Sequence, residues 1–332
     1  MKKMSTFAGL AVGLFLLSIY SIVFAASPAY VVPDGPYDID INGDGVKDRS
    51  FKIYVPSEHD GSVAVPLMVD VHALGGNAYK QANNTRYDLL AEAEPEARNQ
   101  FVTVYPIGTE YPKSFNGGDG FSDENLDYNG CCGEAQQVTG VNDVAFIEAL
   151  VKYMKAKPVI DGVKINIDSD RIYGSGFSNG SALVQKVVFT KPEVFTAVYV
   201  SSQFLLQPIE SDHQLSVPIM LSHGKGDDPA PYGGEEKCYS NGYCTQFPSA
   251  QYNFERWARL NGCEGNPHID YEKGNSNCQV YDGQNNNCNG GVEVRLCSID
   301  GEHNHYNTKY SNKNNDDVPI VPMGWDFVKD YR

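Results

Sequence analysis

The sequence predicts an α/β domain built on a largely parallel sheet, because short β-branched runs alternate with segments of helical periodicity. Helices of this length between strands imply right-handed crossovers and parallel pairing. No linker or internal repeat divides the chain after its first 25 residues, so a single domain is expected. The predicted strands are 51–55, 66–72, 101–105, 171–176, 197–201, 219–223 and 292–298, and the predicted helices are 86–94, 141–157, 178–190, 251–261 and 325–331.

One predicted strand and two predicted helices have clear features in the sequence. The strand 66–72 is a continuous apolar run broken by one aspartate, as expected of a strand covered on both faces. The helix 86–94 ends before Pro95. The clearest amphipathic helix is 141–157, where one face carries Val144, Ile147, Leu150, Val151 and Met154.

Composition limits the possible partners. The 332 residues are 41% hydrophobic and 11% aromatic, enough to form a sizeable core. The chain carries 42 acidic and 26 basic residues, and its formal net charge is −16. The negative electrostatic field of such a chain repels a phosphate backbone and an anionic lipid surface. Neither nucleic acid nor a membrane is therefore an expected partner.

The first 25 residues predict a signal peptide. Lys2 and Lys3 form a positive start, residues 7–19 are apolar, and Val23-Phe24-Ala25 provides a cleavage site. Cleavage before Ala26 leaves a mature domain of residues 26–332, secreted or periplasmic. The alternative is a membrane anchor, which the apolar run is too short to favour.

Eight cysteines lie after this segment, at Cys131, Cys132, Cys238, Cys244, Cys263, Cys278, Cys288 and Cys297. An even number in an exported protein indicates disulfides. No pair has the C-x-x-C spacing typical of zinc sites, so no metal is expected there. Six of the eight fall in a polar, loop-rich C-terminal third, and the pairing stays open.

The sharpest chemical signal is Gly176-Phe177-Ser178-Asn179-Gly180, between a predicted strand and a predicted helix. G-x-S-x-G at such a turn is typical of a nucleophile elbow, which exposes the serine hydroxyl at the edge of the sheet. The alternative is a glycine-rich turn in which the serine caps the helix. We interpret Ser178 as a nucleophile.

A serine nucleophile needs a base and an acid, which in this architecture follow it along the chain. Asp227 comes shortly after the strand ending at His223, and Asp228 is its alternative. The final loop, after the last strand, offers His303 and His305 as candidate bases. The remaining histidines, His59, His213, His223 and His268, are expected to be structural or at the surface.

The tetrahedral oxyanion requires two backbone donors. Asn179 N–H follows the serine and is the first candidate. The second should come from the loop His72-Ala73-Leu74-Gly75-Gly76, where we expect Leu74, or alternatively Ala73, to donate.

Together these residues resemble the secreted esterase family of polyhydroxybutyrate depolymerases and feruloyl esterases, which has the α/β-hydrolase fold. The resemblance covers most of the chain from about Phe51 onward. It rests on Ser169-Asp-Arg-Ile-Tyr-Gly-Ser-Gly-Phe-Ser-Asn-Gly180, His223-Gly-Lys-Gly-Asp-Asp-Pro-Ala-Pro-Tyr-Gly-Gly234, Asn129-Gly-Cys-Cys-Gly133, Val141-Asn-Asp-Val, Trp257 with Asn261-Gly-Cys263, and Trp325-Asp-Phe327. It implies Ser178 as nucleophile, Asp227 as acid and residues 72–76 as the oxyanion loop.

The chain departs from that family at several positions. Ala73 and Ser181 stand where the family usually has glycine, and Gly301-Glu302-His303-Asn304-His305-Tyr306 differs by one residue from the usual Gly-Gly-Gly-His. An ungapped match falls on Asn304, which cannot act as a base. We take His303 as the base, because the shorter spacing preserves the turn after the strand, and keep His305 as the alternative.

A second motif runs from Asp40 to Asp48, with oxygen side chains at alternate positions and Gly45 at the sixth. This pattern is typical of a calcium loop, but Phe51 replaces the glutamate expected at the twelfth position. The preferred interpretation is a β-hairpin turn.

The sequence thus predicts a secreted serine carboxylesterase acting on feruloyl or acetyl esters of plant polysaccharide, a substrate class implied by the resemblance alone. No cofactor is required. The alternatives are a polyester depolymerase of the polyhydroxybutyrate type, a serine peptidase, and a binding protein that has lost activity.

Overall fold

The computed structural model describes residues 33–109, 113–118, 120–123, 126–129, 141–209, 213–238, 244–304 and 317–332. The predicted signal peptide, Cys131, Cys132 and His305 lie outside these described residues.

The described strands are β1 (Asp34–Ile39), β2 (Arg49–Tyr54), β3 (Val65–Val71), β4 (Val102–Pro106), β5 (Gly120–Asp123), β6 (Leu126–Asn129), β7 (Val159–Ile160), β8 (Val163–Lys164), β9 (Ile167–Phe177), β10 (Ala197–Ser201), β11 (Ile219–Gly224), β12 (Glu236–Cys238), β13 (Cys244–Gln246), β14 (His268–Lys273), β15 (Ser276–Tyr281) and β16 (Val294–Ile299). The described helices are α1 (Ala78–Thr85), α2 (Tyr87–Ala93), α3 (Asp143–Lys155), α4 (Asn179–Thr190), α5 (Ala250–Leu260) and α6 (Ile320–Lys329), with short 3-10 turns at Ala97–Asn99 and Asn289–Gly291.

Ten strands form one sheet in the order β1-β2-β4-β3-β9-β10-β11-β16-β15-β14. The six central strands, from β4 to β16, are parallel, and the strands on either side pair antiparallel. The carboxyl ends of parallel strands lie along one edge of a sheet. The segments that follow β3, β9, β11 and β16 therefore meet at that edge.

Helices cover both faces of this sheet, which confirms the predicted α/β class. On one face α3, α4 and α5 contribute Leu150, Val187 and Trp257 to the larger core cluster. On the other face α2 and α6 pack Tyr87 and Trp325 against the strands. Among the described residues no helix has the length and apolar character required to cross a bilayer.

The predicted disulfides are present in the C-terminal region. Cys278 and Cys297 are register partners on β15 and β16 and form one bond, and Cys263 bonds Cys288. Cys238 is disulfide-bonded as well. Cys278 and Cys297 are both buried in the core cluster of α6, and Cys288 is buried in the larger one, so these bonds reinforce packed parts of the domain.

The loop from Asp40 to Asp48 connects β1 to β2, which pair as a hairpin. The Asp40 carboxylate accepts backbone N–H groups of Asn42, Gly43 and Gly45, at 3.1, 2.7 and 2.7 Å. Within the described ranges no cluster of three or more His, Cys, Asp or Glu side chains is arranged to hold a metal. The antiparallel pairing of β1 with β2 makes this loop the connection of a hairpin, as in the preferred interpretation.

A fully buried carboxyl group lies within the sheet, at Asp70 of β3. It accepts hydrogen bonds from Gln81 Nε2 at 2.8 Å and Thr85 Oγ1 at 2.9 Å, and a further bond from Ser175. Burial raises the pKa of Asp70 from 3.8 to about 7, although these bonds oppose the rise. Between those two values the folded chain holds a proton that the unfolded chain releases, so the stability contributed by Asp70 falls as the pH rises.

Asp70→Asn carries no charge at any pH. We therefore expect its free energy of unfolding, relative to that of the wild type, to increase as the pH rises from 5 to 8. The gain should be on the order of 2 kcal/mol in the free energy of unfolding. Urea unfolding of both proteins at the two pH values measures it. A difference between the proteins that stays constant with pH would contradict the raised pKa.

Candidate active site

Ser178 lies in the sharp turn between β9 and α4. Its backbone has φ 53° and ψ −122°, a left-handed conformation that is rare for a residue with a side chain. Ser178 N–H donates to Ser201 O of the neighbouring strand at 2.9 Å, which holds the turn against the sheet. The side chain caps no helix N–H and the residue is 9% exposed. The turn has the form of the predicted nucleophile elbow.

The two glycines of the motif allow close backbone approaches. A Cβ at Gly180 would lie 2.2 Å from Val71 O, and a Cβ at Gly176 would lie 2.5 Å from Gly180 O. Both distances are shorter than any real contact. Only glycine at these two positions lets α4 start directly against the end of β3.

Asp227 follows β11 and its side chain is fully buried. Ala230 N–H donates to Oδ1 at 2.8 Å, which fixes the carboxylate within its turn. The alternative acid, Asp228, is 81% exposed and forms an ion pair with Lys237 at 2.5 Å. Of the two candidates, only Asp227 faces the interior.

His303 follows β16, and its Nδ1 lies 2.8 Å from Asp227 Oδ2. Two backbone bonds join the loops that carry them: Lys225 N–H donates to Ile299 O at 2.7 Å and Gly226 N–H to Gly301 O at 2.8 Å. The face of the imidazole packs against Phe177, the neighbour of Ser178, with ring centroids 4.8 Å apart. The His303 ring is thus held by the Asp227 carboxylate at Nδ1 and by Phe177 beside the elbow.

The charge of Asp227 is stabilised by two imidazoles. Burial alone would raise the pKa of Asp227, but hydrogen bonds from His223 and His303 outweigh it and bring the pKa to about 2. The carboxylate is therefore ionised throughout the neutral range. An ionised acceptor on Nδ1 keeps the proton there and leaves Nε2 as the basic nitrogen.

The predicted oxyanion loop follows β3, and the His72 side chain organises it. Gly108 N–H donates to His72 Nε2 at 3.1 Å, so the ring proton is on Nδ1, which donates to Ala73 O at 2.8 Å. Burial lowers the pKa of His72 to about 4 and keeps the ring neutral. Gly76 N–H also donates to Ala73 O, at 2.9 Å. His72 and Gly76 together fix the orientation of the peptide between Ala73 and Leu74.

This orientation affects the candidate donors. In a trans peptide the N–H points away from the carbonyl oxygen, so Leu74 N–H is directed away from the side held by His72. Leu74 is 41% exposed. Asn179 N–H belongs to the first turn of α4, where backbone donors have no partner inside the helix. The role of both amides as oxyanion donors stays a prediction.

Two histidines near the site have structural roles that were not predicted from the sequence. His223, expected to be structural, is 3% exposed, donates from Nε2 to Ala230 O at 2.7 Å and lies 3.3 Å from Asp227 Oδ2. His72 was identified only as the start of the oxyanion loop. Their positions in the sequence could have indicated these roles, because each histidine follows an apolar strand and precedes a turn that carries site residues.

The chain matches the family model described as phospholipase/carboxylesterase over residues 66–244, more than half of its length. It belongs to that family. The matched region begins with β3 and includes the elbow and Asp227.

The chain is also similar to curated proteins named as esterases. The chain is 27% identical over 290 residues to feruloyl esterase B of Piromyces equi, covering 85% of this chain and 45% of that protein. It is 23% identical over 202 residues to probable feruloyl esterase C of Aspergillus clavatus, covering 60% and 63%. The chain thus spans less than two thirds of either relative.

A solved structure supports the fold independently. The acetyl xylan esterase from Aspergillus awamori superposes with a TM-score of 0.55 at 15% identity, covering 82% of this chain and 94% of that one. Together with the family match, this superposition identifies the sheet and its helices as the α/β-hydrolase fold.

Proposed function

We propose that this family member is a secreted serine carboxylesterase that hydrolyses polymer-linked esters, namely feruloyl or acetyl esters of plant polysaccharide. The observation that carries the proposal is the 2.8 Å hydrogen bond between His303 and Asp227 beside the strained turn at Ser178. The catalytic residues are Ser178, Asp227 and His303.

In the acylation step Ser178 Oγ attacks the ester carbonyl carbon while His303 Nε2 takes the hydroxyl proton. The new positive charge on the imidazole is stabilised by the Asp227 carboxylate. The backbone N–H groups of Leu74 and Asn179 donate to the oxyanion. His303 then returns the proton to the departing alcohol oxygen, and the C–O bond of the ester breaks.

In the deacylation step water takes the place of the alcohol. His303 removes a proton from the water, and the resulting hydroxide attacks the acyl carbonyl carbon. Ser178 Oγ then leaves and takes the proton back from His303. The acid is released and the resting enzyme is restored. Both steps use only side chains and backbone amides of this chain and water.

The substrate class is supported by the names of the similar proteins, which include feruloyl and acetyl xylan esterases. Export by the predicted signal peptide of residues 1–25 suits a polymer that cannot enter a cell. The disulfides suit the same oxidising location. Residues 26–332 then act as one catalytic domain.

The experiment is a substrate panel of methyl ferulate, acetylated xylan and polyhydroxybutyrate, measured with the wild type and Ser178→Ala. We expect the wild type to release ferulate or acetate and Ser178→Ala to release neither. Release of hydroxybutyrate alone would assign the enzyme to polyester instead. No release from any ester by the wild type would refute the proposal.

A further inference from the structure

The Asn179 side chain is fully buried and binds the backbone of a segment 64 residues earlier. Phe115 N–H donates to Asn179 Oδ1 at 2.8 Å, and Asn179 Nδ2 donates to Phe115 O at 2.9 Å. The side-chain amide of Asn179 therefore bonds both the N–H and the C=O of Phe115, as the backbone of a neighbouring β-strand would. We call this pair of bonds the Asn179–Phe115 clamp.

The clamped residue belongs to segment 113–118, which also supports the other half of the proposed oxyanion site. Gly75 N–H donates to Lys113 O at 2.7 Å. The Phe115 ring packs against the His72 ring at 4.7 Å between centroids, and His72 holds the Ala73–Leu74 peptide. One segment thus contacts both the helix start and the loop that carry the two proposed donors.

The next residue of the segment is anchored to a buried ion pair. Asn116 N–H donates to Asp143 Oδ2 at 2.5 Å, and Asp143 Oδ1 lies 2.6 Å from Arg49 Nη2. The side chains of Asp143 and Arg49 are 0% and 6% exposed. A charged pair in this environment resists displacement, because separating its members would leave a buried charge uncompensated. The segment is therefore held by contacts that are independent of Asn179.

We propose that the Asn179 side chain is a positioning group that sets the separation of the two oxyanion donors. By clamping Phe115, it fixes its own backbone N–H relative to the loop of Leu74. This inference rests on the proposed function. Donors must lie about 2.7–3.1 Å from the oxyanion, so a small displacement of either one weakens binding of the transition state more than binding of the ester.

The test uses Asn179→Ala, which keeps the backbone N–H and removes only the clamp. We expect kcat for ester hydrolysis to fall about 10- to 100-fold, with KM within about twofold of the wild type. The pH dependence of kcat/KM should keep its wild-type midpoints, because the bond between His303 and Asp227 is unchanged.

Asn261→Ala is the matched control. Asn261 is also fully buried, its Oδ1 accepts Val217 N–H at 2.8 Å, and its Nδ2 donates to Trp257 O at 3.1 Å. Asn261 follows α5, and its partner Val217 precedes β11, at the opposite end of that strand from Asp227. We expect both variants to lower the melting temperature and only Asn179→Ala to lower kcat.

Equal losses of kcat in the two variants would show a purely structural role, and an unchanged kcat in Asn179→Ala would refute the inference outright. If Asn179→Ala does not fold, Asn179→Ser replaces it, since the shorter side chain keeps a polar group but cannot span both backbone groups of Phe115. A kcat for Asn179→Ser equal to the wild type would then refute the inference. If the wild type hydrolyses no ester, the proposed function itself fails, a result distinct from every variant-specific one.

Discussion

Replacing His303 with alanine is expected to lower kcat by on the order of 10⁴-fold or more, with little change in KM. Asp227 bonds the His303 imidazole, which packs beside the elbow, so this change removes the base proposed for Ser178 Oγ. Steady-state kinetics on the best ester of the panel measures the loss.

His305→Ala is the matched control, because His305 was the alternative base and lies two positions after His303 in the sequence. We expect this variant to keep most of the wild-type kcat. The reverse result, an active His303→Ala and an inactive His305→Ala, would transfer the role of base to His305.

Replacing Asp227 with asparagine is expected to lower kcat about 10⁴-fold, an effect of the size found when a triad carboxylate becomes an amide. Asp227 accepts from Ala230 N–H and His303 Nδ1, and an amide nitrogen in either position would oppose a donor. The imidazole would then favour the proton on Nε2, the nitrogen that must act as the base.

Asp228→Asn provides the control for this prediction. Its carboxylate is exposed and pairs only at the surface with Lys237, so kcat should stay within about twofold of the wild type. A large loss in Asp228→Asn with an active Asp227→Asn would identify Asp228 as the acid.

The central fold could be predicted because its signals are local. Strand β10 was predicted with its observed bounds, and the elbow is encoded by five consecutive residues. The edge strand β14 and its neighbour β15 were not predicted. β14 is polar and mostly exposed, with Ile269 57% exposed, so it lacks the alternation that marks a half-buried strand.

The site could be predicted only in part, because its supporting contacts join distant residues. The position of Asp227 after a strand end was sufficient to select it as a candidate, but the exposure that separates it from Asp228 depends on the folded chain. The clamp joins Asn179 to Phe115, and no periodicity connects them. Asp70 was likewise seen only as an interruption of an apolar run, although burial raises its pKa to about 7.

The most direct measurement of the central claim is labelling of the intact protein with a fluorophosphonate, followed by peptide mass spectrometry. An activated serine reacts with this probe, whereas an ordinary serine does not. We expect one adduct per chain, on Ser178, that is absent from Ser178→Ala and strongly reduced in His303→Ala. No adduct, or an adduct at another serine that persists in Ser178→Ala, would contradict it.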